Sequence, residues 1–219
     1  VALCKGGSKM NGLIKKDFYL IMKEIPVLFF VIVGAGGALA NLTSPLIFII
    51  AAAVIFSTAT LATIQNDKAT SWNKFSITLP VSKQQIVIEK YVVYALLVIF
   101  GILVGSVISI PIAIGTKTFQ MDSYLSTVFI GLALALISGS FSIPCSFVFP
   151  VEKNVLIVSL SALGTIGFSF LIMALVDLIF SIESYLLIAS CIIAVLGIVS
   201  YIASAFIAKK TIYRRGVKS

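Results

Sequence analysis

Histidine is absent from this chain of 219 residues, and cysteine occurs only three times, at Cys4, Cys145 and Cys191. The first absence removes the commonest general base and the usual zinc ligand. The cysteines lie far apart with neither metal-ligand nor redox spacing, so they read as small packing residues. Charge is scarce too: 11% of residues are Asp, Glu, Lys or Arg against 60% hydrophobic, and the mean hydropathy is +1.16. So little charge does not cover a water-facing surface, and lipid is the solvent for most of the chain. No G-x-x-x-x-G-K-[ST] phosphate loop is present, and the polar segments are too short for a nucleotide-binding domain. The chain does not hydrolyse ATP alone. Neither an arginine ladder nor a filter-like loop supports a channel. Asp177 and Glu183 fall at an outer boundary and no buried carboxylate pair is expected, which argues against a proton relay and against an intramembrane enzyme.

What the chain does contain is six apolar stretches, each near the roughly 20 residues that a helix needs to cross a hydrocarbon core of about 30 Å. They fall at 25–42, 45–64, 83–114, 124–150, 155–176 and 184–208. None shows the alternation of a barrel strand, so the expected fold is all-α and polytopic, with six transmembrane helices. Residues 1–9, VALCKGGSK, lack the apolar core of a signal peptide and read as a non-native or upstream leader. In residues 10–24, MNGLIKKDFYLIMKE, one helical side collects Met10, Ile14, Phe18, Ile21 and Met22, which predicts an amphipathic interfacial helix. It reads either as a surface-lying leader or as a docking element. Asp17 and Glu24 project near its apolar side and require lysine partners or headgroup water. Residues 25–208 form the transmembrane domain, and 209–219 a basic cytoplasmic tail.

The net charge of +8 sits in joints rather than in a dense patch with interleaved aromatics, so it signals topology and not nucleic-acid binding. Fifteen of the 16 Lys and Arg residues belong to the amino terminus, the second and fourth joints and the carboxyl tail; Lys117 is the exception. The positive-inside rule then puts both termini in the cytoplasm. Along span three Gly101, Gly105 and Ser109 recur every four residues, and Gly131, Ala135 and Gly139 do so along span four. Such stripes let helix backbones approach closely, and packing is favoured over a substrate groove. Pro144 and Pro150 are expected to kink or end span four.

The second joint, QNDKATSWNKFSITLPVSKQQIVIEKY, is the longest polar segment. Within the loop 65–82, Asp67 is expected to cap a short helix that carries Trp72, Phe75 and Leu79 one turn apart until Pro80 stops it. Ser82 with Gln85 forms a capping box for span three. From the residues alone this joint is either a knob for a partner's groove or an aromatic anchor, with Trp72 and Tyr91 at the headgroups.

With these segments the chain resembles, from residue 10 onward, the small six-span permeases of the ABC-2 family of ATP-binding-cassette transporters. GLIKKDFYLIMKE, D-K-x-x-x-W and L-P-V-S-K carry the likeness most specifically. The resemblance implies a leader lying along the inner leaflet and a cytoplasmic coupling helix that enters a cleft on a separate nucleotide-binding ATPase subunit. By position that role falls on Asp67, Lys68, Trp72, Phe75, Leu79 and Pro80. It also implies a second permease subunit, identical or related, and no cofactor in this chain, ATP and magnesium belonging to the partner ATPase. In size and joint sequence the chain is similar to membrane subunits of exporters for phenol-soluble modulins and of antimicrobial-peptide immunity systems. Residues 179–184 leave no room for the extracellular insertion of polymer exporters. The implied function is ATP-driven export of small amphipathic peptides across a bacterial cytoplasmic membrane. The alternative is a non-transporting membrane immunity or sensor protein that sequesters a toxic peptide.

Overall fold

The computed structural model describes residues 5–42, 44–70, 83–149 and 182–216, with isolated helical positions between 156 and 167. Among the described residues there is helix and turn but no strand, as the unbroken apolar runs require. Helix α1 (Lys5–Val31) passes through a π-helical turn (Ile32–Gly36) into α2 (Gly37–Leu42). The turn 44–46 leads to α3 (Ile47–Ala69), and then follow α4 (Lys83–Gly115), α5 (Met121–Val148) and α6 (Ile182–Gly216).

Among the described residues, four helical segments are long and apolar enough to cross a membrane: Ile47–Ala69, Gln84–Gly115, Met121–Val148 and Leu187–Lys210. They correspond to the expected spans two, three, four and six. Span one lies in the continuous α1–α2 run and is not among the four. Most of span five lies outside the described residues. No turn separates the expected interfacial leader from span one: α1 runs unbroken through Pro26. The leader's packed face also differs from the expected one. Leu13, Asp17 and Ile21 point inward, spaced by four, and Ile21 packs on Ala59 of α3 and on Val93 and Leu97 of α4, while Phe18 and Met22 face outward. The inward row is centred on a charged residue that finds its partners inside the bundle, which an apolarity count along one helix does not register.

Helix α3 is the central element, packed against α1, α4 and α5. Its buried residues include the small Ala52, Ala53, Ser57, Ala59 and Thr60, where neighbours can approach its backbone closely. The main core joins Leu61 and Ile64 of α3, Val87 and Tyr94 of α4, Ile143 of α5 and Tyr201 of α6. With 33 residues, α4 is about 50 Å long at about 1.5 Å per residue, longer than the hydrocarbon it crosses. Its first turns therefore stand at the polar end of the bundle. At its other end Lys117 adopts φ 55°, with Thr118 N–H on the Ala113 carbonyl (3.0 Å) and Lys117 N–H on the Ile114 carbonyl (3.1 Å). These two bonds close the helix in a Schellman turn, a position usually held by glycine.

Candidate functional site

The two ends of the second joint meet at a knot of charge. Asp67 and Lys68 lie in the last turn of α3, and Lys90 lies two turns into α4. Lys90 Nζ donates to Asp67 Oδ2 at 2.8 Å, to Thr63 Oγ1 at 3.1 Å and to Asp17 Oδ2 of α1. Lys16 Nζ lies 2.6 Å from Asp67 Oδ1 and 3.3 Å from Asp17 Oδ1. Asp17, Lys90, Asp67 and Lys16 thus alternate in sign around a closed ring that fastens the leader helix to both flanks of the joint.

Burial makes this ring consequential. Asp17 is 0% exposed and Lys90 1%, so neither charge has bulk water to solvate it, and each depends on the pairing. The three N–H bonds of Lys90 meet three acceptors, so its ammonium is fully satisfied. Burial alone would raise the Asp17 carboxyl; Lys90 above all, with Lys16, overcomes it and holds the group below the usual carboxylate range. Glu89 adjoins the ring, 1% exposed, with its Oε1 unpartnered among the described residues. Both side-chain polar atoms of Gln65 are likewise buried without a partner among the described residues. A cleft of about 20 Å³, lined by Ile64, Asp67, Lys68, Ile86, Lys90 and Phe147, opens beside Lys90. That is room for about one water.

These facts correct three expectations. Asp67 does not cap a separate short helix after span two: α3 continues through it to Ala69, and its carboxylate is occupied by Lys16 and Lys90. Buried carboxylates do occur together, since Asp17, Asp67 and Glu89 meet at one end of the bundle. The signal was Asp17, flagged as needing a lysine, together with Glu89 and Lys90 inside an otherwise apolar helix start. Tyr91 is not a headgroup anchor. It is buried against Tyr201 with ring centroids 5.2 Å apart.

Of the residues expected to couple to an ATPase, Trp72, Phe75, Leu79 and Pro80, like Ser82 of the capping box, lie outside the described residues. Lys68 reaches across to α5, where Nζ donates to the Phe149 carbonyl at 2.5 Å. The small-residue stripes lie within the bundle. A Cβ on Gly101 would fall 2.5 Å from the Ala52 carbonyl oxygen, and one on Gly105 2.6 Å from Ile49 Cα, so both glycines lie directly on the α3 backbone. Ser109 is buried with its Oγ 3.5 Å from the Ser106 carbonyl. Gly131 faces Ile50 of α3, the Ala135 carbonyl accepts a hydrogen bond from Tyr94 Oη at 2.7 Å, and Gly139 lies under the Tyr94 ring.

Periodicity did not reveal the tyrosine network above the charged knot. Tyr201 Oη donates to the Tyr91 carbonyl (2.7 Å) and Ser204 Oγ to the Ser140 carbonyl (2.6 Å). Because the Ser204 proton is already used, Tyr91 Oη is the donor in its 2.9 Å bond to Ser204. Three helices are joined at one level. Among the described residues no cluster of His, Cys, Asp or Glu is arranged to hold a metal ion.

No curated protein and no solved structure matches the chain. The family model described as "ABC-2 family transporter protein" matches residues 12–213, which takes in the leader, the charged knot, the joint and the helices that cross the membrane. The chain therefore belongs to the ABC-2 transporter family, whose members are permease subunits of ATP-binding-cassette transporters.

Proposed function

We propose that this permease subunit exports small amphipathic peptides from the bacterial cytoplasm, with both termini inside, as a dimer with an identical or related subunit. A separate ATPase binds ATP and magnesium and pushes on residues 71–82. Trp72, Phe75, Leu79 and Pro80 form the knob it grips. The supporting observation is the ring of Asp17, Lys90, Asp67 and Lys16, which braces the root of that segment against the leader helix. With Asp67 engaged inside the bundle and Lys68 bonded to the Phe149 carbonyl, they act as the seat of the lever and not as its contact surface. Work delivered to the segment reaches α1, α3 and α4 together, and a shared displacement of packed helices is a means of switching access to a cavity.

The test is reconstitution with the cognate ATPase, with Trp72 and Phe75 both changed to Asp. Peptide-stimulated ATP turnover is expected to fall at least tenfold while the permease itself still folds. Undiminished assembly and turnover would remove the segment from the coupling path. Peptide binding with no ATPase partner at all would favour the sequestering role.

A further inference from the structure

Two charges stand at the depth of the lipid chains. Lys23 and Glu24 are exposed on α1 between Ile21, which packs on Ala59 of α3, and Ile25, which packs on the cluster that holds Ala52 and Phe56. That level is near the middle of the membrane-crossing helix Ile47–Ala69, about 12 Å along α3 from Asp67 at about 1.5 Å per residue. Neither side chain is in an ion pair among the described residues. A lysine at such depth extends toward the headgroups, but the short stem of a glutamate does not, and charged groups inside a bilayer face protein or water rather than lipid. Being consecutive, the two point in different directions around the helix and do not neutralise each other. The expected span five supplies no partner either, since residues 155–176 contain no Asp, Glu, Lys or Arg.

The pair is complementary to itself. A two-fold axis along the bundle sets Lys23 of one copy beside Glu24 of the other, twice. The surrounding surface suits a second helix: Tyr19, Lys23, Val27 and Phe30 follow one another at spacings of four, four and three on one side of α1, with Tyr19 70%, Val27 59% and Phe30 78% exposed. Among the described residues, the other fully exposed charges at this end of the bundle are basic, Lys15 and Lys210, while Asp17, Asp67 and Glu89 are buried. Two copies therefore repel at this end except where Glu24 meets a lysine. We infer that this face of α1 is the contact with a second copy of the chain, held by two reciprocal Lys23–Glu24 ion pairs with Val27 and Phe30 packed beside them. The inference rests on the proposed pairing of two permease subunits and deepens it: the partner is an identical chain and the seam is α1 against α1. The helix at the seam is the one that the charged ring fastens to α3 and α4, so the two copies are tied through their leaders.

The experiment uses the whole chain in membranes and in lipid nanodiscs, without ATPase or peptide. With the native cysteines changed to serine, Val27→Cys should give a disulfide-linked dimer on mild oxidation, and Leu103→Cys, exposed on α4, should not. Lys23→Glu and Glu24→Lys should each lower the linked fraction of Val27→Cys at least about fivefold, with thermal unfolding at the parental temperature because both side chains are exposed. Exchanging the two residues should restore the link, and so should co-expression of the two single variants, whose faces complement each other. Unchanged linking in the single variants overturns the proposal, as does failure of co-expression to restore it. A lower unfolding temperature in either single variant places the partner within the chain and overturns it too. A chain that is dimeric by mass but gives no Val27→Cys link removes this seam and leaves the pairing of subunits standing; a monomeric chain removes the seam and leaves only a related partner. Reaction of Glu24→Cys with an aqueous maleimide in the folded chain, without a dimer link, makes the face a water-filled wall and overturns the inference as well.

Discussion

Breaking a buried ring of charges at one member costs more than the intact ring contributes, because the groups left behind are still out of water. Lys90→Met would strand Asp17 beneath α4 and is expected to destabilise the chain by about 3–5 kcal/mol, with Asp17→Leu similarly costly. The two changes together should cost much less than their sum, since Lys16 and Asp67 still pair at 2.6 Å. A double-mutant cycle on unfolding in detergent measures this, and strict additivity would mean that the ring is not a unit. The sign of the acid response follows from Asp17. Its carboxyl is held below the usual value, so its contribution is present above about pH 4 and disappears as pH falls through the depressed folded value. Asp17→Asn should flatten that acid limb. Nothing in local sequence pairs residues 17, 67 and 90, because charge pairing between distant segments has no periodicity; only the unexpected polarity of each position was visible.

The stripe on α4 sets the spacing of α3 and α4. Gly105→Leu would drive a side chain into the Ile49 Cα and the Phe48 carbonyl, 2.6 and 2.7 Å from its Cβ, and backbone cannot yield as a side-chain tip can. The expected result is a loss of folded yield or at least about 1–3 kcal/mol of stability, whereas Gly34→Ala, with nothing within 4 Å of its Cβ, should match the parent. Equal behaviour of the two would show that the close approach is unimportant. Long uniform apolar segments were legible almost to the residue: the expected 83–114 is α4 (Lys83–Gly115) and 124–150 is α5 (Met121–Val148). Mixed polarity misled. Gln65, Asp67 and Lys68 suggested that the second span ends near residue 64, yet their side chains lie within the bundle or reach its neighbour, so α3 keeps its helical bonds to Ala69.

For the whole molecule, the proposed orientation, which rests on the asymmetry of basic residues, has the charged knot and the proposed ATPase on one side of the bilayer and the Lys117 turn on the other. With the native cysteines changed to serine, a cysteine at Thr116 should react with an impermeant maleimide on intact cells. One at Lys209 should react only after the cells are opened. The reverse pattern would put the joint outside, away from any ATP-driven partner. The expectation of six spans came from the lengths of the apolar runs, and four spanning helices are among the described residues, whereas the expected partners came only from the resemblance, because periodicity says which segments enter lipid but not what grips the parts outside it.

A strap anchored at one end can stretch; a strap clasped at both ends can only swing. Asp67 and Lys90 clasp the last turn of α3 to the early turns of α4, so under the proposed coupling a few residues inserted between the two helices should leave their clasped ends where they are. Severing the clasp should instead uncouple α3 from α4.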